Sequence, residues 1–223
     1  MVDIIKDFIA NTFGELAWLG ILLVAMIPII ELRGAIPFAL SVKAWGINAL
    51  NWWQAYIFSV VGATLPALII VPLLIPFFNW LKKTKLFRKF VEFFDAHFKK
   101  KSEALANKVE NEAEHKKQER IKFWGVVTFV AIPLPLTGAW TGSAVAAYLG
   151  IGTKKGVFAV LIGNIISGAI MTTICTIFKG AEDLILDIFL WLALAVIVCT
   201  IVYGVIKIIK DKKNSVPQTE KTE

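Results

Sequence analysis

Hydrophobic residues fall in long blocks along this chain, and the polar positions lie between the blocks rather than alternating within them. Residues 2–13 are the exception. There Ile4, Ile5, Phe8, Ile9 and Phe13 recur at helical spacing against Asp3, Lys6 and Asp7, which predicts a short amphipathic helix. Residues 16–30 are apolar, but at helical rise they reach only ~22 Å, short of a ~30 Å hydrocarbon core. Residues 38–42 resume the apolar pattern, and residues 52–78 form a full-length run. Gly62, Pro66, Pro72 and Pro76 within that run predict a kinked or irregularly ended helix.

A polar interlude covers residues 82–122. Its first part places Phe87, Phe90, Val91, Phe94 and Phe98 on one helical face, with Lys85, Arg88, Lys89 and Lys99 elsewhere, which suits a helix lying in the headgroup plane. Residues 102–122, rich in Ala, Glu and Lys, predict a solvated helix. Residues 123–149 are apolar but interrupted at 133–138, residues 157–178 and 184–206 read as spans, and the polar residues 214–223 read as a disordered tail.

Composition agrees with the pattern. Of 223 residues 57% are hydrophobic and 18% charged, and the mean hydropathy is +0.69, the profile of a multi-spanning membrane protein. The first residues lack a basic region and a small-residue cleavage site, so no cleaved signal peptide is expected. Cys175 and Cys199 lie in apolar runs and read as packing residues. His97 and His115 sit in the charged middle and read as solvated, so no metal or other cofactor is expected. The lysines flank apolar segments without any base-reading motif, which argues against nucleic acid and for an anionic cytoplasmic leaflet as partner.

Charge placement decides between two topologies. If residues 16–42 and 123–149 each crossed once, Lys154, Lys155 and the C-terminal lysines would lie opposite the basic block at 82–122. If both segments are re-entrant hairpins, with turns at 31–37 and 133–138, three crossings remain. The outside then holds three basic and six acidic residues, and the inside twenty basic and ten acidic. The hairpin topology obeys the positive-inside rule, with residues 82–122 and the C-terminus cytoplasmic.

That topology exposes an internal repeat. Ile27-Pro28, Trp45-Gly46-Ile47 and Val61-Gly62 correspond in order to Ile132-Pro133, Leu149-Gly150-Ile151 and Ile162-Gly163. The two copies enter the membrane from opposite sides, the inverted-repeat pattern of many secondary transporters. The expected fold is therefore all-α and integral to the membrane. Two inverted repeats each comprise a re-entrant helical hairpin and a transmembrane helix, joined by an extra C-terminal transmembrane helix and a cytoplasmic amphipathic helical insert. In segments, residues 1–80 hold the N-terminal helix, first hairpin and span; 81–122 the insert; 123–209 the second hairpin and two spans; and 210–223 a disordered cytoplasmic tail.

Within the first hairpin, Glu31-Leu32-Arg33-Gly34-Ala35-Ile36-Pro37 puts an acid and a base at membrane depth. Such charges cost from ~2.5 kcal/mol upward and mark working sites. This motif, together with Ile132-Pro133-Leu134-Pro135-Leu136-Thr137-Gly138-Ala139-Trp140-Thr141-Gly142-Ser143, resembles the signatures of the small multidrug export family over nearly all of residues 10–180. That family is remotely similar to the DedA and SNARE-associated membrane proteins. The resemblance implies a prokaryotic cytoplasmic (inner) membrane location and transport, with the acid-plus-arginine loop falling on Glu31 and Arg33. DedA-type proteins are implicated in moving lipid phosphates and in proton-dependent drug tolerance. Their second, arginine-bearing motif is not visible here, where Thr137, Thr141 and Ser143 stand instead.

The expected site comprises Glu31, Arg33, Gly34, Pro37, Thr137, Gly138, Trp140, Thr141, Ser143 and Asn164. A carboxylate in a partly dry cavity beside an arginine is pulled both ways, so Glu31 is expected to load and release protons near neutral pH. Arg33 presents a planar fork suited to phosphate or carboxylate. Gly34 and Gly138 leave backbone donors open at helix ends, where anions are favoured. Thr137, Thr141, Ser143 and Asn164 add neutral hydrogen-bonding groups, and Trp140 is placed to shield a substrate. A structural salt bridge between Glu31 and Arg33 is the plainer alternative.

Three functional classes follow. A proton-coupled transporter of a small or lipid-linked, phosphate-bearing substrate is preferred, with efflux of lipophilic cationic drugs as its variant. A membrane scaffold acting through residues 82–122 is the second. An enzyme is disfavoured, because no Ser/His/Asp set or metal cluster is visible in the apolar segments. Small-residue faces such as Gly163/Ser167 and Gly168/Thr172 would support association into a homo-oligomer.

Overall fold

The computed structural model describes residues 2–82 and 112–214, all helix and connection, with no strand among them. Residues 83–111 and 215–223 lie outside the described residues, and with them most of the expected headgroup-plane helix and the tail. Among the described residues nine α-helices follow in order: α1 Val2–Phe13, α2 Ala17–Met26, α3 Glu31–Leu40, α4 Val42–Trp45, α5 Trp52–Lys82, α6 Glu112–Ala131, α7 Ala139–Leu149, α8 Thr153–Ile177 and α9 Glu182–Asn214. Helix α6 runs unbroken across the change from charged to apolar sequence at residues 122–123.

Three stretches among the described residues are long and apolar enough to cross a membrane: Phe8–Met26, Trp52–Trp80 and Thr153–Ile177. The first joins the end of α1 to α2 through the single 3-10 turn Gly14–Leu16. The length that residues 16–30 lack is thus supplied from their N-terminal side. Helix α5 continues as one helix through Pro66, Pro72 and Pro76 for 31 residues.

The break in the first half does not lie where the sequence places it. Residues 31–37 are not a turn but the first two turns of α3, and Pro37 is accommodated inside that helix. The chain turns at residues 27–30 instead, directly after Met26. Gly34 lies inside the helix, and its missing side chain lets Ile30 and Leu186 close against it. In the second half the chain is non-helical between Ala131 and Ala139, as the prolines at 133 and 135 dictate.

The two breaks share local geometry. Only two non-glycine residues among those described have positive φ, Glu31 at 46° and Leu136 at 67°. Each stands three residues after a proline, Pro28 or Pro133. Helices α4 and α7 both end on a positive-φ glycine, Gly46 and Gly150. The long helices match as well. A side chain at Gly62 of α5 would strike the Leu22 carbonyl and Ala25 of α2, while one at Gly163 of α8 would strike the Val127 carbonyl and Val130 of α6. Leu22 and Val127 each lie six residues before the proline of their break, and Ala25 and Val130 three before it.

Packing follows the same rule. Helix α2 lies on α5 and α6 lies on α8, whereas α3 also crosses to α8 and α7 crosses to α5. The long helices run antiparallel, with Thr64 bonded to Asn164, Val60 beside Gly168 and Val71 beside Gly156. Close approach at glycines maximises van der Waals contact, which drives helix association where lipid removes the hydrophobic incentive. One buried cluster, including Ile21, Leu32, Ile36 and Met171, ties α2 and α3 to α8. A second, including Val126, Val130, Val160 and Ala67, ties α6 to α5 and α8.

Candidate functional site

The two breaks meet, and the ion pair of one sits on the helix ends of the other. Arg33 and Glu31 are buried, with 3% and 4% of their surface exposed. Arg33 donates from Nη1 to Glu31 Oε2 at 2.5 Å. Its other terminal nitrogen, Nη2, donates to the Val130 carbonyl (3.2 Å), the Ile132 carbonyl (3.2 Å) and Thr137 Oγ1 (3.1 Å). Val130 belongs to the last turn of α6, whose carbonyls have no intrahelical partners. The guanidinium therefore caps a helix C-terminus.

The carboxylate does the converse. Glu31 Oε1 accepts from the Trp140 backbone N–H at 3.3 Å, in the first turn of α7. An anion at a helix N-terminus and a cation at a C-terminus are each favoured by the helix dipole, by ~0.3–2 kcal/mol. The pair is thus held by the broken ends of α6 and α7 as well as by its own attraction. Glu31 is aimed there by its left-handed backbone, in which its N–H still bonds the Ile27 carbonyl at 2.9 Å.

Gly138 makes the approach possible. A Cβ there would occupy the position of the Glu31 carboxylate and press on the Arg33 guanidinium. Thr137 Oγ1 also bonds the carbonyls of Ile132 (2.8 Å) and Leu134 (2.9 Å), and Thr141 Oγ1 bonds those of Leu136 (2.6 Å) and Gly138 (3.3 Å). These hydroxyls shape the break. Trp140 donates its indole N–H to the Met26 carbonyl at 3.0 Å, so the C-terminal end of α2 is bonded from the opposite break.

Six of the ten expected residues therefore gather: Glu31, Arg33, Thr137, Gly138, Trp140 and Thr141. Gly34 faces Ile30 and Leu186 rather than the pair. Pro37 is buried in α3, and having no N–H it leaves the Arg33 carbonyl without its helical donor. Ser143 is buried in α7, bonded to the Ala139 carbonyl. Asn164 sits at the α5–α8 crossing, donating to Thr64 Oγ1 at 2.9 Å, with its own Oδ1 unpartnered. Sequence reasoning missed the carbonyls of Val130, Ile132 and Met26, for which no residue type gives a signal. It also missed Thr64, whose hydroxyl inside an apolar run was the available clue.

The expected cavity is nearly closed. Beside Arg33, a cleft of about 10 Å³ between Ile29, Ile30, Gly34, Pro135, Phe189 and Leu190 has room for about one water. Arg33 Nε is buried without a protein partner. At the second break the Trp140 N–H, a donor at the start of α7, is taken by Glu31 itself. Among the described residues no group of His, Cys, Asp and Glu is arranged to hold a metal.

Comparison with curated proteins and with solved structures returned no match. A family model does match, the one described as "Putative small multi-drug export protein", over residues 31–170. The matched stretch opens on Glu31 and takes in both members of the ion pair, the whole second break and most of α8. An export family implies a transporter rather than an enzyme, and the three apolar helices agree with a multi-pass membrane protein. With well over half its length covered, the chain belongs to the small multi-drug export family.

Proposed function

We propose that this protein is a proton-coupled secondary transporter of a small or lipid-linked anionic substrate, with the two helix–break–helix pairs acting as inverted re-entrant repeats. The observation that carries the reading is the placement of Glu31. Its carboxylate occupies an anion site made by the N-terminal end of α7 and the Arg33 guanidinium. Protonation of Glu31 removes its charge from both partners, leaving α7 and Arg33 to a phosphate or carboxylate of the substrate. Release of that proton to the other side restores the Glu31 carboxylate as the resident anion and expels the bound one. In this scheme the structure corresponds to the substrate-free, closed state. Matching prolines, positive-φ residues and packed glycines in the two halves support the repeat reading.

Efflux of lipophilic cationic drugs is the second reading, favoured by the family description. It needs a carboxylate available to a cation, whereas Glu31 is committed to Arg33 and α7. The test is reconstitution into liposomes carrying an internal pH-sensitive dye, with lipid phosphates and cationic drugs offered in turn. Proton movement on addition of the anions, lost in Glu31→Gln and Arg33→Ala proteins that still insert, is the expected result. Proton movement with the cations alone overturns it.

A further inference from the structure

A second feature lies on the outer face of α6 and runs from its charged end towards the second break. Lys116, Lys117 and Arg120 stand at one end of an open groove of about 830 Å³, and Trp124, Phe129 and Ile132 line the rest. From Lys116 to Ile132 the groove follows the helix for ~24 Å. The three basic side chains are exposed, and Glu119, next to Arg120 in the chain, pairs with Lys155 at 2.5 Å. Trp124 is half exposed, at 54%, and a side chain at Gly125 would touch nothing, so the wall is shallow at mid-groove.

We infer that this groove binds one anionic phospholipid, with its phosphate on Lys116, Lys117 and Arg120 and an acyl chain laid over Trp124 and Phe129 towards Ile132. Charge complementarity selects the occupant. Three cations above an apolar channel match a phosphate above a hydrocarbon chain, and a zwitterionic lipid adds a positive group that they repel. Trp124 stands at the change from charged to apolar lining, the level at which tryptophan anchors to headgroups. The groove ends at Ile132, whose carbonyl Arg33 holds, so a lipid here lies against the second break. The site does not depend on transport.

The probe is the full-length protein in phosphatidylcholine bilayers, with either dibrominated phosphatidylglycerol or dibrominated phosphatidylcholine added as a tryptophan quencher. Phosphatidylglycerol is expected to quench with about fivefold higher apparent affinity. The excess is expected to disappear in Trp124→Phe, to fall to the phosphatidylcholine level in the triple variant Lys116→Gln/Lys117→Gln/Arg120→Gln, and to shrink for the native protein at high salt. Equal quenching by the two lipids in the native protein overturns the proposal. So does an excess that survives both the triple variant and salt, which places the selective lipid elsewhere.

Discussion

The two breaks are alike in backbone and opposite in chemistry. Each follows a proline by three residues with a left-handed non-glycine, yet the first carries Glu31 and Arg33 while the second carries no ionisable side chain. The first break is short, and its charges have few polar groups of their own half to meet. The second is longer and leaves carbonyls and amides of α6 and α7 open. One supplies charge and the other supplies helix ends. A buried salt bridge considered alone is weak evidence for stability; a pair matched to two helix termini has a direction as well.

That direction can be tested most severely by exchanging the charges. In Glu31→Arg/Arg33→Glu a simple salt bridge would be restored, but here a cation would face the N-terminus of α7 and an anion the carbonyls of α6. The exchange is expected to cost as much as removing one partner, about 3–5 kcal/mol, with transport lost, as measured by unfolding in mixed micelles and by liposome assay. Near-native stability of the swapped protein would break the comparison.

Gly138→Ala comes next. The added methyl displaces the carboxylate, with an expected loss of about 1–3 kcal/mol in the same unfolding assay. Unchanged stability would mean that the two breaks do not meet as closely as described. The smallest effect is expected where the breaks are most alike. Leu136→Gly relieves left-handed strain but removes a partly buried side chain, for a net change of under ~1 kcal/mol. Glu31→Gly relieves the same strain and is nonetheless expected to be far more damaging, because the carboxylate leaves with it. Similar outcomes for the two glycine variants would erase the chemical distinction between the breaks.

Much of this was legible in the residues. Charges at membrane depth singled out Glu31 and Arg33, and the prolines marked the second break. The pairing of Ile27-Pro28 with Ile132-Pro133 pointed to the true position of the first turn. It was obscured because Pro28 lies in an apolar block, while Gly34 and Pro37 look like stronger breakers. In the folded chain Gly34 is a contact surface and Pro37 a tolerated helical residue. What the sequence could not announce is that Arg33 binds main-chain carbonyls, since every residue carries one. Nor could it show that the anion at the start of α7 would be the protein's own.

The separation along the chain of Arg33 from its acceptors in the second half has a consequence for how the protein is made. The nearest of them, the Val130 carbonyl, comes 97 residues later, and Thr137 comes 104 later. At ~5–20 residues per second, the first pair of charges exists for about 5–20 s before its helix ends have been synthesised. During that interval the polar half of the site has no partner from the second half. The biogenesis machinery, or water at the bilayer surface, has to shelter Glu31 and Arg33 until α6 and α7 arrive.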